Sequence, residues 1–218
     1  MLVKESERLI RSQRYTRSVT SEMKVVSGDS VDVYIRVLDS WSLVPDVSSS
    51  TTKSKFYLKE KNIFGLGHEF SNSYTKSLTN KDNGYSINYF IPTIRNTFIS
   101  TRLNYEIDLD RKYDKSIIIE RPFFSSFARW AAGVALGQNL NKIVTLDVNQ
   151  NEVIQNSKFN YQDYWAGHAF QIFKGNSEYN RTTNFVTSAR YYNRNYTEKP
   201  IFNSDSLDVY SSEQLYLI

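Results

Sequence analysis

Between Ile99 and Leu109 the chain alternates without a break. Ile99, Thr101, Leu103, Tyr105, Ile107 and Leu109 fall on one side, and Ser100, Arg102, Asn104, Glu106 and Asp108 on the other. A period of two is the mark of a β-strand with one apolar face. Eleven residues is also the length that a tilted strand needs to cross the core of a bilayer. Other runs behave in the same way. Tyr85, Ile87, Tyr89 and Ile91 alternate with Ser86, Asn88 and Phe90, and Trp130, Ala132, Val134 and Leu136 alternate with Arg129, Ala131, Gly133 and Ala135. Phe185, Thr187, Ala189 and Tyr191 alternate with Val186, Ser188, Arg190 and Tyr192. From about residue 43 onward no helical period is legible, so the fold expected is mainly β.

Composition narrows the classes. The chain has 218 residues, of which 40% are hydrophobic and 15% aromatic, a balance that disfavours disorder. A mean hydropathy of −0.51 excludes a bundle of transmembrane helices, since no stretch approaches the roughly 18 apolar residues that a span needs. A membrane β-barrel stays open, because alternating strands average to a hydrophilic score. The charge of +4, from 27 basic and 23 acidic residues, is too mild and scattered to argue for a nucleic-acid partner. The chain has no cysteine, which excludes disulfides and thiolate metal sites. Met1 to Arg8 has no apolar run and so does not read as a signal peptide. The expectation is either a cytoplasmic protein or a piece of something larger.

The first 42 residues differ from the rest. Leu9, Ile10 and Tyr15 sit among charged residues, as in a short amphipathic helix between Glu5 and Tyr15. Val19, Ser21, Met23 and Val25 then alternate, Gly28-Asp29 signals a turn, and Val31, Val33, Ile35 and Val37 alternate after it. A helix on one face of a lone hairpin is marginal, so this unit reads as the back half of a small α+β domain.

The turns are sorted. Those at 62–67, 92–96 and 122–126 are short and carry apolar or aromatic residues, whereas 79–84, 110–114 and a long stretch from Asn139 to Asn160 are polar. A membrane barrel has short turns on one side, longer loops on the other and aromatic girdles at both interfaces.

Asp39-Ser40-Trp41-Ser42-Leu43-Val44-Pro45, closing the small α/β unit, and Lys61-Asn62-Ile63-Phe64-Gly65-Leu66-Gly67 resemble outer-membrane assembly factors of the BamA and TamA type. Glu120-Arg121-Pro122-Phe123 with Arg129-Trp130-Ala131-Ala132-Gly133 is similar to a later turn of that family. Tyr161-Gln162-Asp163-Tyr164-Trp165-Ala166-Gly167 is similar to a strand returning from its long outer loop. The likeness is to Bacteroidetes surface-antigen homologues more than to proteobacterial proteins. It implies periplasmic POTRA domains feeding a sixteen-stranded barrel. Residues 1–42 would be the C-terminal part of a POTRA domain, and 43–218 the N-terminal part of the barrel. About ten strands are expected, the last over Leu207 to Ile218, and the family's Arg-Gly-Phe/Tyr motif is absent. The chain therefore reads as a fragment that does not fold alone.

The resemblance also implies a bacterial outer-membrane location, with the N-terminal unit in the periplasm. The implied partners are outer-membrane lipids and unfolded outer-membrane protein clients, with periplasmic chaperones or accessory lipoproteins beside them. The activity implied is non-enzymatic: folding, inserting or translocating other barrel proteins by strand templating at the barrel seam and at the POTRA edge, Val19 to Val37. A weakly paired first strand, here Val44 to Thr52, would accept an incoming strand by main-chain hydrogen bonds.

No motif contradicts a non-enzymatic reading, and no cofactor or metal is expected. His68 and His168 have no ligand pattern around them and read as structural. Gly-x-Ser-x-Gly is absent, and Asp108, Asp110 and Asp114 read as an acidic hairpin loop rather than a calcium site. Asn62, Phe64, Gly65, Gly67 and Pro122 read as turn residues, the glycines supplying positive φ. Trp41, Trp130 and Trp165 suit interfacial positions at headgroup level, or else the core of a soluble sandwich. Arg102, Glu106, Arg129 and Arg190 would line a barrel lumen, or face water in a soluble sheet. Two rival readings stand beside the assembly factor. One is a passive porin or the membrane anchor of a lost passenger domain, and the other is a soluble, aromatic-rich β-sandwich that binds carbohydrate.

Overall fold

A computed structural model describes residues 2–95, 97–146, 150–173, 183–200 and 213–217. The protein is mainly β. Its one described α-helix, α1 (Leu2–Arg11), carries the ion pairs Glu5–Arg8 and Glu7–Arg11 at helical spacing. Acid in the first turn and base in the last also suit the helix dipole. α1 rests on β1 (Thr16–Ser27), which pairs with β2 (Ser30–Asp39) across a turn where Gly28 has φ +53°. The register sets Val19 opposite Val37, Met23 opposite Val33 and Val25 opposite Val31, so the apolar residues share one face. The helix covers one end of that face. Val19 is buried, but Met23 and Val25 are 64% and 77% exposed.

Among the described residues, ten further strands form a single antiparallel sheet in which every strand pairs with its chain neighbours. They are β3 (Leu43–Ser49), β4 (Lys53–Ile63), β5 (His68–Ser77), β6 (Asn83–Ile91), β7 (Ser100–Ile107), β8 (Tyr113–Arg121), β9 (Trp130–Leu146), β10 (Glu152–Gln171), β11 (Asn184–Glu198) and β12 (Glu213–Leu217). The sheet is open, with β3 at one edge and β12 at the other. Of the strand expected over Leu207 to Ile218, residues 213–217 are β12, and 207–212 and Ile218 lie outside the described residues.

The register sorts the side chains into two faces. Leu103 lies opposite Tyr89 and Ile117, and Ile117 opposite Leu136, giving an apolar face. Arg102 lies opposite Phe90 and Ile118, Ile118 opposite Ala135, and Ala135 opposite Asp163, giving a predominantly polar one. The seven buried polar residues, Glu69, Ser73, Ser77, Ser100, Thr145, Ser157 and Asp163, all belong to the polar face. Many large apolar side chains on the opposite face are exposed, among them Phe56, Leu103, Tyr105, Leu136 and Phe185. Buried hydrophobic residues among the described residues are only Val19, Ala128, Ala131 and Ala169. The covered side of this sheet is thus its polar side.

Curvature explains the covering. Phe90 on β6 and Tyr216 on β12 line one cavity of about 470 Å³, although six strand spacings separate them in the sheet order. At about 4.8 Å per spacing a flat sheet would hold them roughly 29 Å apart. The sheet therefore rolls, with its polar face concave.

Two expectations need correction. The stretch from Asn139 to Asn160 is not a long polar loop. The β9–β10 ladder continues through it, from His168 opposite Trp130 to Glu152 opposite Leu146. Polar side chains misled because a ladder is made by main-chain groups, which Asn, Gln and Lys supply as well as any residue. The eleven-residue alternation from Ile99 to Leu109 forms a strand of eight, Ser100–Ile107. Turns take its ends: Ile94 N–H donates to Ile99 O at 2.9 Å, and Asp108 Oδ1 accepts from Lys112 N–H at 2.8 Å.

Glycines fix how rings lie on the concave wall. A Cβ at Gly137 would lie 2.4 Å from Tyr161 Cζ, and one at Gly133 2.3 Å from Trp165 Nε1. Both rings lie across β9 because it has no side chain there. Gly137→Val is expected to lower stability by about 1–3 kcal/mol by overpacking, read as a lower urea midpoint.

Candidate functional site

The concave wall is divided by strand. β4 contributes Lys53, Lys55 and Lys59, which line up on the polar side through their pairing with β5. β5 and β6 oppose one another with small polar residues, Ser71 against Asn88, Ser73 against Ser86 and Thr75 against Gly84. β7 and β8 bring Glu106, Asp114 and Glu120, with Arg102 among them. β10 and β11 bring rings: Phe159 opposite Tyr196 and Trp165 opposite Arg190.

Three ion pairs on two carboxylates tie this wall together. Glu69 is buried between Arg14 Nε at 2.9 Å and Lys59 Nζ at 2.9 Å. Asp163 receives Arg190 through both carboxylate oxygens, Nε to Oδ1 at 2.8 Å and Nη2 to Oδ2. A buried carboxylate left without its partner is costly, so Lys59 locks β4 to β5, Arg190 locks β11 to β10, and Arg14 holds the N-terminal unit to β5. Arg194 adds an aromatic clamp. Its guanidinium lies 4.6 Å from the centroid of Phe159 and donates to the hydroxyls of Tyr192 and Tyr196.

Of the four charged residues expected on a lumen wall, Arg102, Glu106 and Arg190 stand on the concave face. Arg129 lies just before β9, in the turn, and reaches Asn184 Oδ1 at 2.6 Å and Gln171 Oε1 at 2.7 Å, clasping the β10–β11 end. The three tryptophans separate. Trp41 is 80% exposed between β2 and β3, and Trp130 is 65% exposed on the apolar face. Trp165 instead lies on the concave wall against Gly133.

His68 and His168 both stand on the apolar side. His68 Nδ1 is 2.7 Å from Tyr89 Oη. His168 packs on Trp130 and Phe170, ring centroids 4.2 and 4.3 Å away. Further rings follow this pattern at both ends of the apolar face: Phe70 and Tyr89 oppose one another near the short turns, and Tyr74 and Tyr85 near the polar loops. Ile87 lies between, opposite Asn72 and Tyr105, and Leu103 and Ile117 carry the Phe70–Tyr89 row on across β7 and β8.

The short-turn end is where the N-terminal unit attaches. Asn62 Oδ1 accepts Gly67 N–H at 2.6 Å and closes the turn, with Phe64, Gly65 and Gly67 all at positive φ. Tyr15 packs on Gly67 in ordinary contact, 3.4 Å from where a Cβ would be, and it is the positive φ that calls for glycine there. Phe124 N–H donates to Pro122 O at 2.8 Å, and its ring stacks on Phe98 at 3.9 Å. Asn96, in the neighbouring turn, lies outside the described residues. Arg8 spans the junction, gripping Glu5 and donating to Phe124 O at 2.6 Å. Arg14 does the same on the concave side, where it also lies over Phe90 at 5.3 Å.

Sequence reading missed the Arg14–Glu69–Lys59 cluster, whose members are too far apart for any pattern to join them. It also missed the glycine seats under Trp165 and Tyr161, although two glycines four apart on one face of a strand are a legible sign of close approach.

The Glu5 carboxyl is held below its ordinary value, first by its hydrogen bond to Arg8 and then, against the opposing effect of burial, by that residue's charge. A carboxyl lowered in the folded state contributes stability above its unfolded value and loses it as pH falls through the folded one. Amide-exchange protection of α1 is therefore expected to be flat above the ordinary carboxylate range and to decline progressively as pH falls through that range into stronger acid. Arg8→Ala is expected to remove that dependence.

No family model matches the chain, and no curated protein matches it.

Proposed function

We propose that this chain is part of an outer-membrane β-barrel protein, similar to the BamA and TamA type, that helps to assemble or insert other barrel proteins. The observation that carries the reading is the inversion of the sheet: its covered, concave face is polar and its uncovered face is apolar. A sheet folded for water puts its apolar side under cover. A sheet folded for lipid puts apolar residues outward, with rings at both rims and charges inward, where they escape the cost of hydrocarbon. β4 to β8, of eight to eleven residues, have about the length a tilted transmembrane strand requires.

In this reading the short-turn end, with α1 and the β1–β2 hairpin, faces the periplasm and the polar loops face outward. Client strands add at β3. It is a terminal strand of seven residues, paired on one side only, and holds Pro45, a residue tolerated in sheets mainly at edges. Main-chain hydrogen bonds from an incoming strand would supply affinity with little demand on its sequence. Lipid and unfolded barrel proteins are the partners, and the activity needs no catalytic group.

A paired substitution tests the lipid face. Leu103→Arg is expected to destabilise the folded protein in bilayers by about 2–4 kcal/mol, whereas Asn104→Arg, one residue away on the concave side, is expected to be tolerated. If both are neutral and the chain is a compact monomer without detergent, the membrane reading fails. On a semi-native gel the 218 residues should show no heat-modifiable mobility, because an open sheet does not close by itself. Insertion is tested by photo-crosslinking from Val47, on β3, to a nascent barrel protein in outer-membrane vesicles. Crosslinks confined to β4 to β8 would remove the templating role.

A further inference from the structure

The cavity at the centre of the concave wall has a composition of its own. Trp165 lies over Gly133 and lines it, so the indole is laid against the wall rather than projecting from it. Around it stand two guanidinium groups, Arg102 and Arg190, and two carboxylates, Glu120 and Asp163. The charges cancel, but their bonding does not. Arg190 and Asp163 satisfy one another. Arg102 rests over the ring of Phe90 at 4.9 Å, and neither it nor Glu120 has an ion pair or side-chain hydrogen bond among the described residues. The site thus holds one aromatic platform, one unused donor fork and one unused acceptor. Its volume of about 470 Å³ lies in the range of small-molecule sites.

We propose that this cavity binds a neutral saccharide unit, with Trp165 as the stacking platform and Arg102 and Glu120 as its hydrogen-bonding pair. Charge selects the ligand class. A phosphate-bearing ligand would meet two carboxylates, a cation would meet two guanidinium groups, and an apolar ligand would strand the polar rim without partners. A sugar hydroxyl accepts from a guanidinium and donates to a carboxylate, while the C–H face of the ring lies on an indole. Tyr161, over Gly137, continues the platform along β10, four residues from Trp165 and on the same face, so an oligosaccharide has room for a second contact. A sugar would bind here whether or not the opposite face meets lipid.

The test uses the full chain with Trp41→Phe and Trp130→Phe, leaving Trp165 as the one tryptophan, folded in a detergent without a sugar headgroup. Maltohexaose, cellohexaose, xylohexaose and chitohexaose are the probes. Expected is a saturable change in Trp165 emission with at least one of them. Arg102→Gln and Glu120→Gln should each weaken it tenfold or more with unchanged far-ultraviolet circular dichroism. Calorimetry on Trp165→Ala should show the same loss. The proposal is overturned if the folded protein responds to none of the four. It is equally overturned if Glu120→Gln binds as well as the parent, or if inorganic phosphate or single-stranded oligothymidylate binds more tightly. Failure of the lipid-face test leaves each of these outcomes readable.

Discussion

The structure depends on main-chain hydrogen bonds between neighbouring strands, because little else holds it. Among the described residues the hydrophobic side chains are not gathered into a core, and the few that are buried are mostly alanine. In water an uncovered apolar face of this extent is a liability. In hydrocarbon the same face is solvated by lipid tails, and the ladder becomes stronger because no water competes for its groups. The two edge strands are the exception, since among the described residues each is paired along one side alone. Every feature bearing on function lies either along that ladder's faces or at its open ends.

Rolling the sheet converts a sequence of polar residues into a site. Phe90, Arg102, Asp163, Arg190 and Tyr216 come from five different strands and meet only because the wall is concave. Glycine at 133 and 137 lets the wall carry large rings without thickening. The buried Glu69 does a related job at the short-turn end, where Arg14 ties the N-terminal unit to the polar side and Arg8 ties it to the Phe124 turn.

Much of this was legible in the sequence, since strand period and turn chemistry are local. The alternation around Leu103 placed its faces correctly, and Gly28-Asp29 marked the hairpin turn. The Asn62 to Gly67 segment read as a tight turn, which Asn62 closes by accepting from Gly67. What failed was the inference from side-chain polarity to loop, at 139–160, because pairing with a neighbour decides a strand's length and polarity does not. Trp165 was legible as an aromatic in a strand, but its side depended on register, and a one-residue shift exchanges the faces. Arg129 was placed by extending an alternation one residue past where the strand begins.

The β9–β10 hairpin has a consequence for topology. Six of its rungs, from Asn141 opposite Ser157 to Leu146 opposite Glu152, extend past the last partners on β8 and β11. At about 3.4 Å per rung that is a finger roughly 20 Å long. Lys142, Glu152, Gln155, Asn156 and Ser157 lie on it, beside the exposed Val144, Leu146 and Ile154. Along it, among the described residues, the two strands hold only one another, so fraying inward from Leu146 and Glu152 would open those six rungs and leave the rest of the sheet paired.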